Sequence, residues 1–318
     1  MKITGIGLYL PPKIQTAEEL SKKINKSADW IINKTGVVER RISDIEVDEM
    51  GAIAAKEALN GDKPDLILNA SGVGRQVIPD TAVFFQRELN LEGVPSFSIQ
   101  ATCLSFLVAL KTANDFLNNG SFKKILIISS DKGSKGRNFN EPESAALLGD
   151  GAAAVLVELS DNNEESCLEY WKMKTYSSGA DLTEVRGGGT RLHPQDSKTI
   201  FSDNLFSMNG PQIYRLARKK IYKMLLEMLK DQKIKTTDID LVIPHQASIT
   251  AIEAYINYGK FKKEQVVNVI GKTGNCVAAS LPMSLAIAYK NNQISKGDRI
   301  YLTGTGAGLS IISALIKF

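Results

Sequence analysis

An internal repeat constrains the fold of this chain more than any other feature of the sequence. Two β-like segments recur 175 positions later, 64–68 as 239–243 and 123–128 as 298–302. A constant separation indicates that one structural unit occurs twice. Layered α/β proteins repeat strand–helix units in any case, but two anchors at one offset favour a true repeat. The sequence therefore predicts two similar halves, near 1–160 and 161–318, that meet as a pseudo-symmetric pair.

Each half has the pattern of an α/β layer. A strand and then an apolar helix lie between the repeated segments, at 96–99 and 104–118 in the first half and at 266–269 and 278–291 in the second. Strands that alternate with helices are typical of layered α/β folds. Helices that are apolar on most faces are usually buried. We therefore expect the two helices to form a middle layer between two sheets.

Composition excludes several classes of protein. The 318 residues are 43% hydrophobic and 23% charged, which is typical of a globular protein with a large core. The net charge of +4 is too small for a phosphate-tracking nucleic-acid binder. No run approaches the ~18 apolar residues of a membrane helix, and the first residues lack the apolar core of a signal peptide. We expect a soluble protein without membrane insertion.

Cysteine usage points to a reducing compartment. The three cysteines, Cys103, Cys167 and Cys276, form no CxxC pair, and their spacing suits neither a zinc site nor a disulfide framework. Free thiols are typical of the cytoplasm, where we expect the protein to act.

Cys103 occupies a position that suits a nucleophile. It follows a predicted strand at 97–100 and opens the apolar helix that starts at Leu104. The positive end of the helix dipole should lower the pKa of the thiol, and backbone N–H groups there could hold an oxyanion. A buried structural cysteine would fit the same position. Position alone leaves both interpretations open.

His245 and Asn275 fall at the ends of related strands. His245 follows the strand 241–243, and the C-terminal ends of strands are where α/β proteins build their sites. Asn275 follows a predicted strand at 266–270, in a Gly-Asn pair that usually marks a turn. The repeat places this turn where the turn of Cys103 lies in the first half. A packed histidine and a simple turn are the ordinary interpretations, but this convergence favours a functional site.

The second histidine and the glycines near residue 305 give weaker evidence of a functional site. His193, the second histidine of the chain, lies in a Gly-rich loop and is interpreted as solvated. The glycines at 304–308 resemble part of a dinucleotide fingerprint, but no βαβ unit follows them in this sequence. We interpret 304–308 as a tight turn that brings backbone N–H groups close to a substrate.

Basic residues cluster on a predicted helix near 215–223. Arg215, Arg218 and Lys219 are its first members. A solvated helix face is the ordinary interpretation. A docking patch for an acidic carrier protein is the functional one.

The motifs together resemble the β-ketoacyl-acyl-carrier-protein synthase III family of the thiolase superfamily. The matching stretches keep their order and spacing nearly end to end: 29–37, Cys103, 148–152, 208–210, 243–247, 274–282 and 304–308. The resemblance implies the thiolase-like α/β fold, with five αβαβα layers, and a homodimer.

The resemblance also implies a mechanism. Cys103, His245 and Asn275 would be the catalytic triad. Cys103 would take an acyl group from acyl-CoA or from acyl carrier protein (acyl-ACP), and decarboxylative Claisen condensation with malonyl-ACP would follow. The substrates are coenzyme A and phosphopantetheine thioesters, so no metal or other cofactor is expected. Backbone N–H groups of Gly306 and Ala307 would serve an oxyanion.

The implied substrate-binding positions depart from the usual family pattern more than the triad does. They are Trp30, Lys34, Gly210, Tyr214 and Ala247, and the implied carrier-docking residues are Arg215, Arg218 and Lys219. Family members usually carry three arginines around the CoA nucleotide, where this chain has Lys34, Pro142 and Thr250. Pro211, Cys276 and Thr305 also depart from the pattern. We therefore expect a specialised relative that uses acyl-ACP, or a primer other than acetyl.

Three alternatives differ in chemistry. The first is a thiolase-superfamily acyltransferase, or a specialised condensing enzyme of polyketide or head-to-head type. The second is a non-catalytic partner subunit, although such subunits tend to lose the nucleophile that Cys103 would supply. The third, a degradative thiolase, needs a second cysteine near the C-terminal glycines, and residues 304–318 contain none.

Overall fold

The computed structural model describes residues 1–161 and 163–318. The strands in these ranges are β1 (Lys2–Tyr9), β2 (Lys13–Thr16), β3 (Glu39–Ile42), β4 (Leu66–Asn69), β5 (Ser96–Ser98), β6 (Lys124–Lys132), β7 (Asp150–Glu158), β8 (Cys167–Gly179), β9 (Thr183–Glu184), β10 (Ser207–Met208), β11 (Leu241–Pro244), β12 (Arg299–Gly306) and β13 (Gly308–Lys317). The helices are α1 (Ala17–Ile24), α2 (Ala28–Thr35), α3 (Val47–Leu59), α4 (Thr81–Glu88), α5 (Ser105–Asn118), α6 (Pro142–Leu147), α7 (Gly210–Gln232), α8 (Ile249–Gly259), α9 (Ile270–Thr273) and α10 (Ser280–Lys290).

Two mixed sheets form the frame of the molecule. The first has the order β1-β7-β6-β4-β5, and the second has the order β11-β12-β13-β8. β4 pairs in parallel with β5 and β6, and β11 pairs in parallel with β12. The other pairs in both sheets are antiparallel. The small ribbons β2–β3 and β9–β10 lie apart from the two sheets.

Helices cover both faces of each sheet. α5 and α10 contact strands of both sheets and therefore form the middle layer. α3 and α4 pack on the outer face of the first sheet, and α7 and α8 cover the outer face of the second. The predicted five-layer, thiolase-like α/β fold is confirmed.

The burial of the central strands explains why their sequences do not alternate. β6 and β7 are buried along nearly their whole length because helices lie on both faces of the first sheet. Strands with two covered faces become nearly continuous apolar runs. No helix in the two described ranges is long and apolar enough to cross a membrane.

The predicted repeat is also present in the strand register. Leu66 pairs with Ile125 in the first sheet, and Leu241 pairs with Ile300 in the second. Leu241 lies 175 positions after Leu66, and Ile300 lies 175 positions after Ile125. The first residues of α5 and α10 are separated by the same number of positions. The two halves are therefore pseudo-symmetric. The boundary near residue 160 stays a prediction.

The strand predicted at 266–270 is wrong. Only Val266 makes a bridge to β11, and α9 begins at Ile270. The amide of Gln246 takes the place of further strand pairing, because its Oε1 accepts the N–H groups of Val269 and Ile270 at 3.0 and 3.1 Å. A side chain can satisfy the backbone as well as a strand does, so the segment turns early towards Asn275.

Candidate active site

Cys103 lies in a tight turn before α5 rather than in the helix itself. Gln100 Oε1 accepts the N–H of Thr102 at 2.6 Å, and Ser105 Oγ accepts the N–H of Ala101 at 3.0 Å. Thr102 has a φ of 52°, a conformation that is costly for a β-branched residue, by about 1–3 kcal/mol. The two side chains hold the backbone in this strained turn and thereby fix the position of Cys103.

The turn after Asn275 repeats the same arrangement. Asn275 Oδ1 accepts the N–H of Val277 at 2.9 Å, and Ser280 Oγ accepts the N–H of Cys276 at 2.8 Å. Val277 also has a φ of 52°. Residue for residue, the turn lies 175 positions after the turn of Cys103, and the two turns contact each other. Asn275 is therefore the counterpart of Gln100.

Asn275 presents a hydrogen-bond donor. Its Oδ1 already accepts two hydrogen bonds, from the Val277 N–H and from Ser280 Oγ at 3.3 Å. Its backbone is fixed by bonds to the Leu147 carbonyl and the Gly149 N–H at 2.8 and 3.0 Å. The side-chain Nδ2 has no partner among the residues that the structure describes. The amide N–H groups are therefore available to an acceptor on a ligand.

His245 is a neutral, buried imidazole directly after β11. Only 5% of the residue is exposed, and its backbone N–H donates to the Thr303 carbonyl at 2.8 Å. Burial lowers the pKa of His245 to about 4, so the ring carries no charge at neutral pH. Nδ1 is buried and has no partner within residues 1–161 and 163–318.

Two glycines of β12 allow the predicted site residues to come together. A Cβ on Gly304 would lie 2.6 Å from His245 Cβ and 3.3 Å from a methyl carbon of Leu104, the neighbour of Cys103. A Cβ on Gly306 would lie 2.5 Å from Thr102 Oγ1. Any side chain at these positions would push the Cys103 turn and His245 away from β12. The end of β12 thus packs against both the turn of Cys103 and His245, and the turn of Asn275 joins them through its contacts with the Cys103 turn.

The expected turn at 304–308 is shorter in the structure. Gly304 and Gly306 belong to β12, and only Ala307 lies between β12 and β13. The glycines serve close packing against the site rather than a long loop. An oxyanion role for the N–H groups of Gly306 and Ala307 stays a prediction.

The expected lowering of the Cys103 pKa is wrong. Cys103 is partly exposed, yet burial and the negative charge of Asp131 raise the pKa of its thiol to about 12. Asp131 is fully buried and accepts the N–H groups of Gly72, Val73 and Ala279 at 2.9 to 3.0 Å. Desolvation outweighs the helix dipole, whose effect is local and modest. The thiol is therefore protonated before substrate binds.

A cavity of about 140 Å³ separates α7 from α8 and ends at His245. We call it the α7–α8 slot. Gly210, Tyr214 and Ala247, which the resemblance marks as substrate-binding, all line it. The structure therefore brings these three predicted residues together with His245.

Trp30 and Lys34 lie outside the described lining of the slot. Trp30 is half-buried, with Lys26 Nζ 5.3 Å from the centre of its ring. Lys34 Nζ lies 2.9 Å from Glu143 Oε1, and the other oxygen of Glu143 would lie 3.3 Å from a Cβ on Gly210. A carboxylate thus balances the one cation predicted for a nucleotide phosphate.

The predicted docking residues are exposed on α7. Arg215, Arg218 and Lys219 form no ion pair with any residue in the part of the chain that the structure describes. Arg218 also lies at the edge of the α7–α8 slot. Their charges are free to meet an acidic surface.

Metal-ligating side chains do not cluster in the described ranges. No group of three or more His, Cys, Asp or Glu residues there could hold an ion. Cys103, Cys167 and Cys276 are free thiols. The chemistry available at the site is that of a thiol, an imidazole, an amide and backbone N–H groups.

Two family models match the chain. The model of 3-oxoacyl-[acyl-carrier-protein] synthase III matches residues 97–177, which include Cys103. The model of the C-terminal part of 3-oxoacyl-[acyl-carrier-protein] synthase III matches residues 229–318, which include His245 and Asn275.

Full-length relatives agree with these matches. A β-ketoacyl-[acyl-carrier-protein] synthase III of Rickettsia bellii is 32% identical over 325 residues, which cover 100% of this chain and 99% of that protein. The relative from Aquifex aeolicus is 33% identical over 323 residues, with the same coverage. The crystal structure of the 3-oxoacyl-[acyl-carrier-protein] synthase III from Aquifex aeolicus has a TM-score of 0.90 at 32% identity and covers 100% of this chain and 99% of that one. The chain therefore belongs to the β-ketoacyl-[acyl-carrier-protein] synthase III family of condensing acyltransferases.

Proposed function

We propose that Cys103, His245 and Asn275 join a thioester-bound acyl group to malonyl-ACP with loss of carbon dioxide. The supporting observation is the pair of equivalent turns that contact each other, one of which packs together with His245 against the end of β12. Together these contacts bring to one site a thiol, a neutral imidazole and an amide N–H that has no partner in the described ranges. A nucleophile and two neutral donors are the groups that acyl transfer followed by enolate formation requires.

In the first half-reaction, Cys103 Sγ attacks the carbonyl carbon of the primer thioester. A new C–S bond forms, and the bond to the carrier sulfur breaks. Because the Cys103 thiol is protonated, its proton has to move as the attack proceeds. Neutral His245 can accept that proton and pass it to the departing carrier thiol.

In the second half-reaction, the malonyl carboxylate leaves as carbon dioxide. Its bonding electrons form an enolate whose negative charge lies on the thioester oxygen. An N–H of the His245 ring and the Asn275 amide donate to that oxygen, and such donors contribute about 3–4 kcal/mol each. The enolate carbon attacks the carbonyl carbon of acyl-Cys103, the C–S bond breaks, and the Cys103 thiolate that leaves takes up a proton from solvent. The backbone N–H groups of Cys103 and of Gly306 or Ala307 stabilise the tetrahedral oxyanion.

The primer is proposed to arrive on a carrier protein rather than on free coenzyme A. The charge of Lys34 is balanced by Glu143. Pro142 begins α6 and Thr250 is exposed on α8, so neither supplies a cation for nucleotide phosphates. The affinity for the CoA nucleotide should therefore be low, whereas a carrier protein also binds through its own surface.

A coupled assay tests the proposed function. The purified protein receives malonyl-ACP and an acyl group on either CoA or ACP, and carbon dioxide and product mass are followed together. We expect one carbon dioxide for each β-ketoacyl product, with a lower KM for acyl-ACP. Acyl transfer without carbon dioxide would favour an acyltransferase. Activity only after a second synthase is added would favour a partner subunit, and saturation by low acetyl-CoA would contradict the carrier preference.

We also propose that the exposed cations of α7 dock the acyl carrier protein. Arg215, Arg218 and Lys219 lie on the helix that borders the α7–α8 slot, so a carrier bound there would sit beside the entrance to His245. Complementary charge mainly steers association and weakens in salt. An acidic carrier is the partner that this face fits.

Charge reversal on α7 should weaken the use of malonyl-ACP. The double variant Arg215→Glu/Lys219→Glu is expected to raise the KM for malonyl-ACP about tenfold at low salt, with a smaller effect at high salt. Lys230→Glu, near the other end of the same helix, is the matched control and should leave KM unchanged. Equal KM values for the double variant and the wild type would refute docking on this face.

A homodimer is proposed from the open edge of the first sheet. β5 forms that edge, and its Phe97 is 39% exposed. Val77 and Ile78 are 84% and 82% exposed. Open edges and exposed apolar groups are usually covered in native assemblies. We expect a dimer in sedimentation velocity and a monomer for Phe97→Glu; a monomeric wild type would contradict the proposal.

A further inference from the structure

Asp131 is a fully buried carboxylate near the end of β6. Its Oδ1 accepts the N–H groups of Gly72 and Val73, each at 2.9 Å, and its Oδ2 accepts the N–H of Ala279 at 3.0 Å. Burial of a charged group is costly unless hydrogen bonds compensate for it. The charge also acts on Cys103, yet neither proposed half-reaction uses this carboxylate.

The internal repeat shows which place the carboxylate occupies. Asp131 corresponds to Gly306 of β12, 175 positions later, and Cys103 corresponds to Ala278 in the same way. Gly306 packs against the turn of Cys103. Burial raises the pKa of the Asp131 carboxyl, and the N–H of Ala278 is among the backbone groups that oppose this rise. By symmetry, the carboxylate lies where the turn of Cys103 is proposed to receive an oxyanion.

One oxygen of Asp131 fixes the turn that presents Asn275. Val277 has the strained φ of 52°, and its N–H donates to Asn275 Oδ1. The bond from Ala279 to Asp131 Oδ2 holds the far side of this turn. Gly72 packs on it as well, because a Cβ there would lie 2.4 Å from Val277 Cγ1. Without the carboxylate the turn could relax and move the Asn275 amide.

The other oxygen reaches the turn of Cys103 through two further residues. Asp131 Oδ1 holds the N–H of Gly72, and the carbonyl of Gly72 accepts Gln100 Nε2 at 2.7 Å. Gln100 Oε1 accepts the N–H of Thr102, directly before Cys103, at 2.6 Å. One carboxylate thus links both turns.

A carboxylate is the group that can form both links. Each of its oxygens accepts hydrogen bonds, whereas an amide has one accepting oxygen and one donating NH₂ group. An asparagine at this position would direct its NH₂ either at the N–H of Ala279 or at those of Gly72 and Val73. A buried donor without an acceptor costs about 1–3 kcal/mol, so one of the two turns would be released.

We propose that Asp131 is a positioning residue that holds the turns of Cys103 and Asn275 in the relative position that the two half-reactions require. This inference rests on the proposed function, because it assigns both turns to one reaction.

Asp131→Asn keeps the size of the side chain and tests the inference. Acylation of Cys103 by acyl-ACP is followed by intact-protein mass, and carbon dioxide release from malonyl-ACP is measured on protein that is already acylated. We expect at least one of the two rates to fall about tenfold, as the loss of one buried hydrogen bond implies. The KM for malonyl-ACP should not change.

Alkylation by iodoacetamide at about pH 8 gives a readout that a purely structural role would not produce. Besides burial, the charge of Asp131 raises the pKa of the Cys103 thiol. Its removal should increase the thiolate fraction, so Cys103 in Asp131→Asn should be alkylated at least about threefold faster than in the wild type. Buried Cys276 reports unfolding in the same sample and should stay unmodified.

Asp65→Asn is the matched control. Asp65 Oδ2 accepts the N–H groups of Lys123 and Lys124, each at 3.0 Å, at the opposite end of β6. This carboxylate also holds backbone groups, but it lies about 20 Å along the strand from Asp131. All three rates should equal those of the wild type.

The outcomes separate this inference from the function it rests on. If the wild type neither forms the adduct nor releases carbon dioxide, the proposed function fails. If it does both and Asp131→Asn matches it in both rates, the inference fails. Alkylation of Cys276 in the variant, with a lower melting temperature, would mean that Asp131 only stabilises the fold.

Gln100→Met is the second variant if Asp131→Asn does not fold. It cuts the link between Gly72 and Thr102 at an exposed residue, without a change of charge. Acylation of Cys103 should fall about tenfold, while carbon dioxide release from acylated protein stays the same. Unchanged acylation would overturn the inference.

Discussion

Cys103→Ala should abolish the covalent acyl adduct and reduce condensation at least about a thousandfold, because removal of a nucleophile eliminates the covalent route. The measurement is intact-protein mass after incubation with acyl-ACP and acyl-CoA donors, followed by addition of malonyl-ACP. In the wild type the adduct should form and then disappear as the β-ketoacyl product is released. In the variant neither event should be observed.

The other thiols provide the control for this result. Cys167 is partly exposed on β8, away from the turns that form the site, so Cys167→Ala should keep the adduct and its discharge. An adduct that persists in Cys103→Ala, or that is lost in Cys167→Ala, would assign the nucleophile to another residue.

The same thiol should show the effect of its burial. With a pKa of about 12, the Cys103 thiolate fraction rises steadily with pH through the neutral range. Alkylation by iodoacetamide should therefore accelerate with pH and show no plateau near neutrality. A plateau near pH 7 would mean that the helix dipole dominates after all.

The repeat in the sequence was sufficient to predict the frame of the molecule. The strands β4, β6, β11 and β12 occur where the repeated segments placed them, and α5 and α10 form the middle layer between the sheets. These elements are predictable because their signals are local. Apolar periodicity and segment length reflect burial of the element itself.

Features that depend on tertiary contacts could not be predicted in the same way. The segment at 266–270 has the composition of a strand, but the Gln246 side chain satisfies its backbone. The pKa of Cys103 depends on desolvation and on Asp131, which lies 28 positions away in the sequence. Neither the proximity of Asp131 nor the burial of Cys103 can be predicted from the local sequence of one turn.

Sequence reasoning also missed the residues that hold the two turns. Gln100, Ser105 and Ser280 fix the backbone around Cys103 and Asn275, yet none was singled out. A signal was present, because Ser105 and Ser280 are separated by the repeat offset of 175 positions. A residue-by-residue comparison of the two halves would have identified them.

Asn275→Asp should separate the two half-reactions. Aspartate keeps an oxygen that can accept the Val277 N–H and preserve the turn, but it removes the Nδ2 donor. Loss of one oxyanion donor costs about a hundredfold to a thousandfold in rate. We therefore expect carbon dioxide release from malonyl-ACP to fall by that factor, while acylation of Cys103 changes little.

His245→Ala should slow carbon dioxide release by a factor similar to that expected for Asn275→Asp, because the ring is the second proposed donor to the enolate oxygen. Carbon dioxide release is measured on protein whose Cys103 has already been acylated, so that the first half-reaction does not limit the rate. His193→Ala is the matched control, since that ring is exposed in a loop.

With a pKa of about 4, His245 stays neutral down to mildly acidic pH, so the rate of carbon dioxide release should show no titration near the usual histidine value of about 6.5. A rate that titrates near that value, or an Asn275→Asp variant that releases carbon dioxide normally, would exclude the two-donor mechanism.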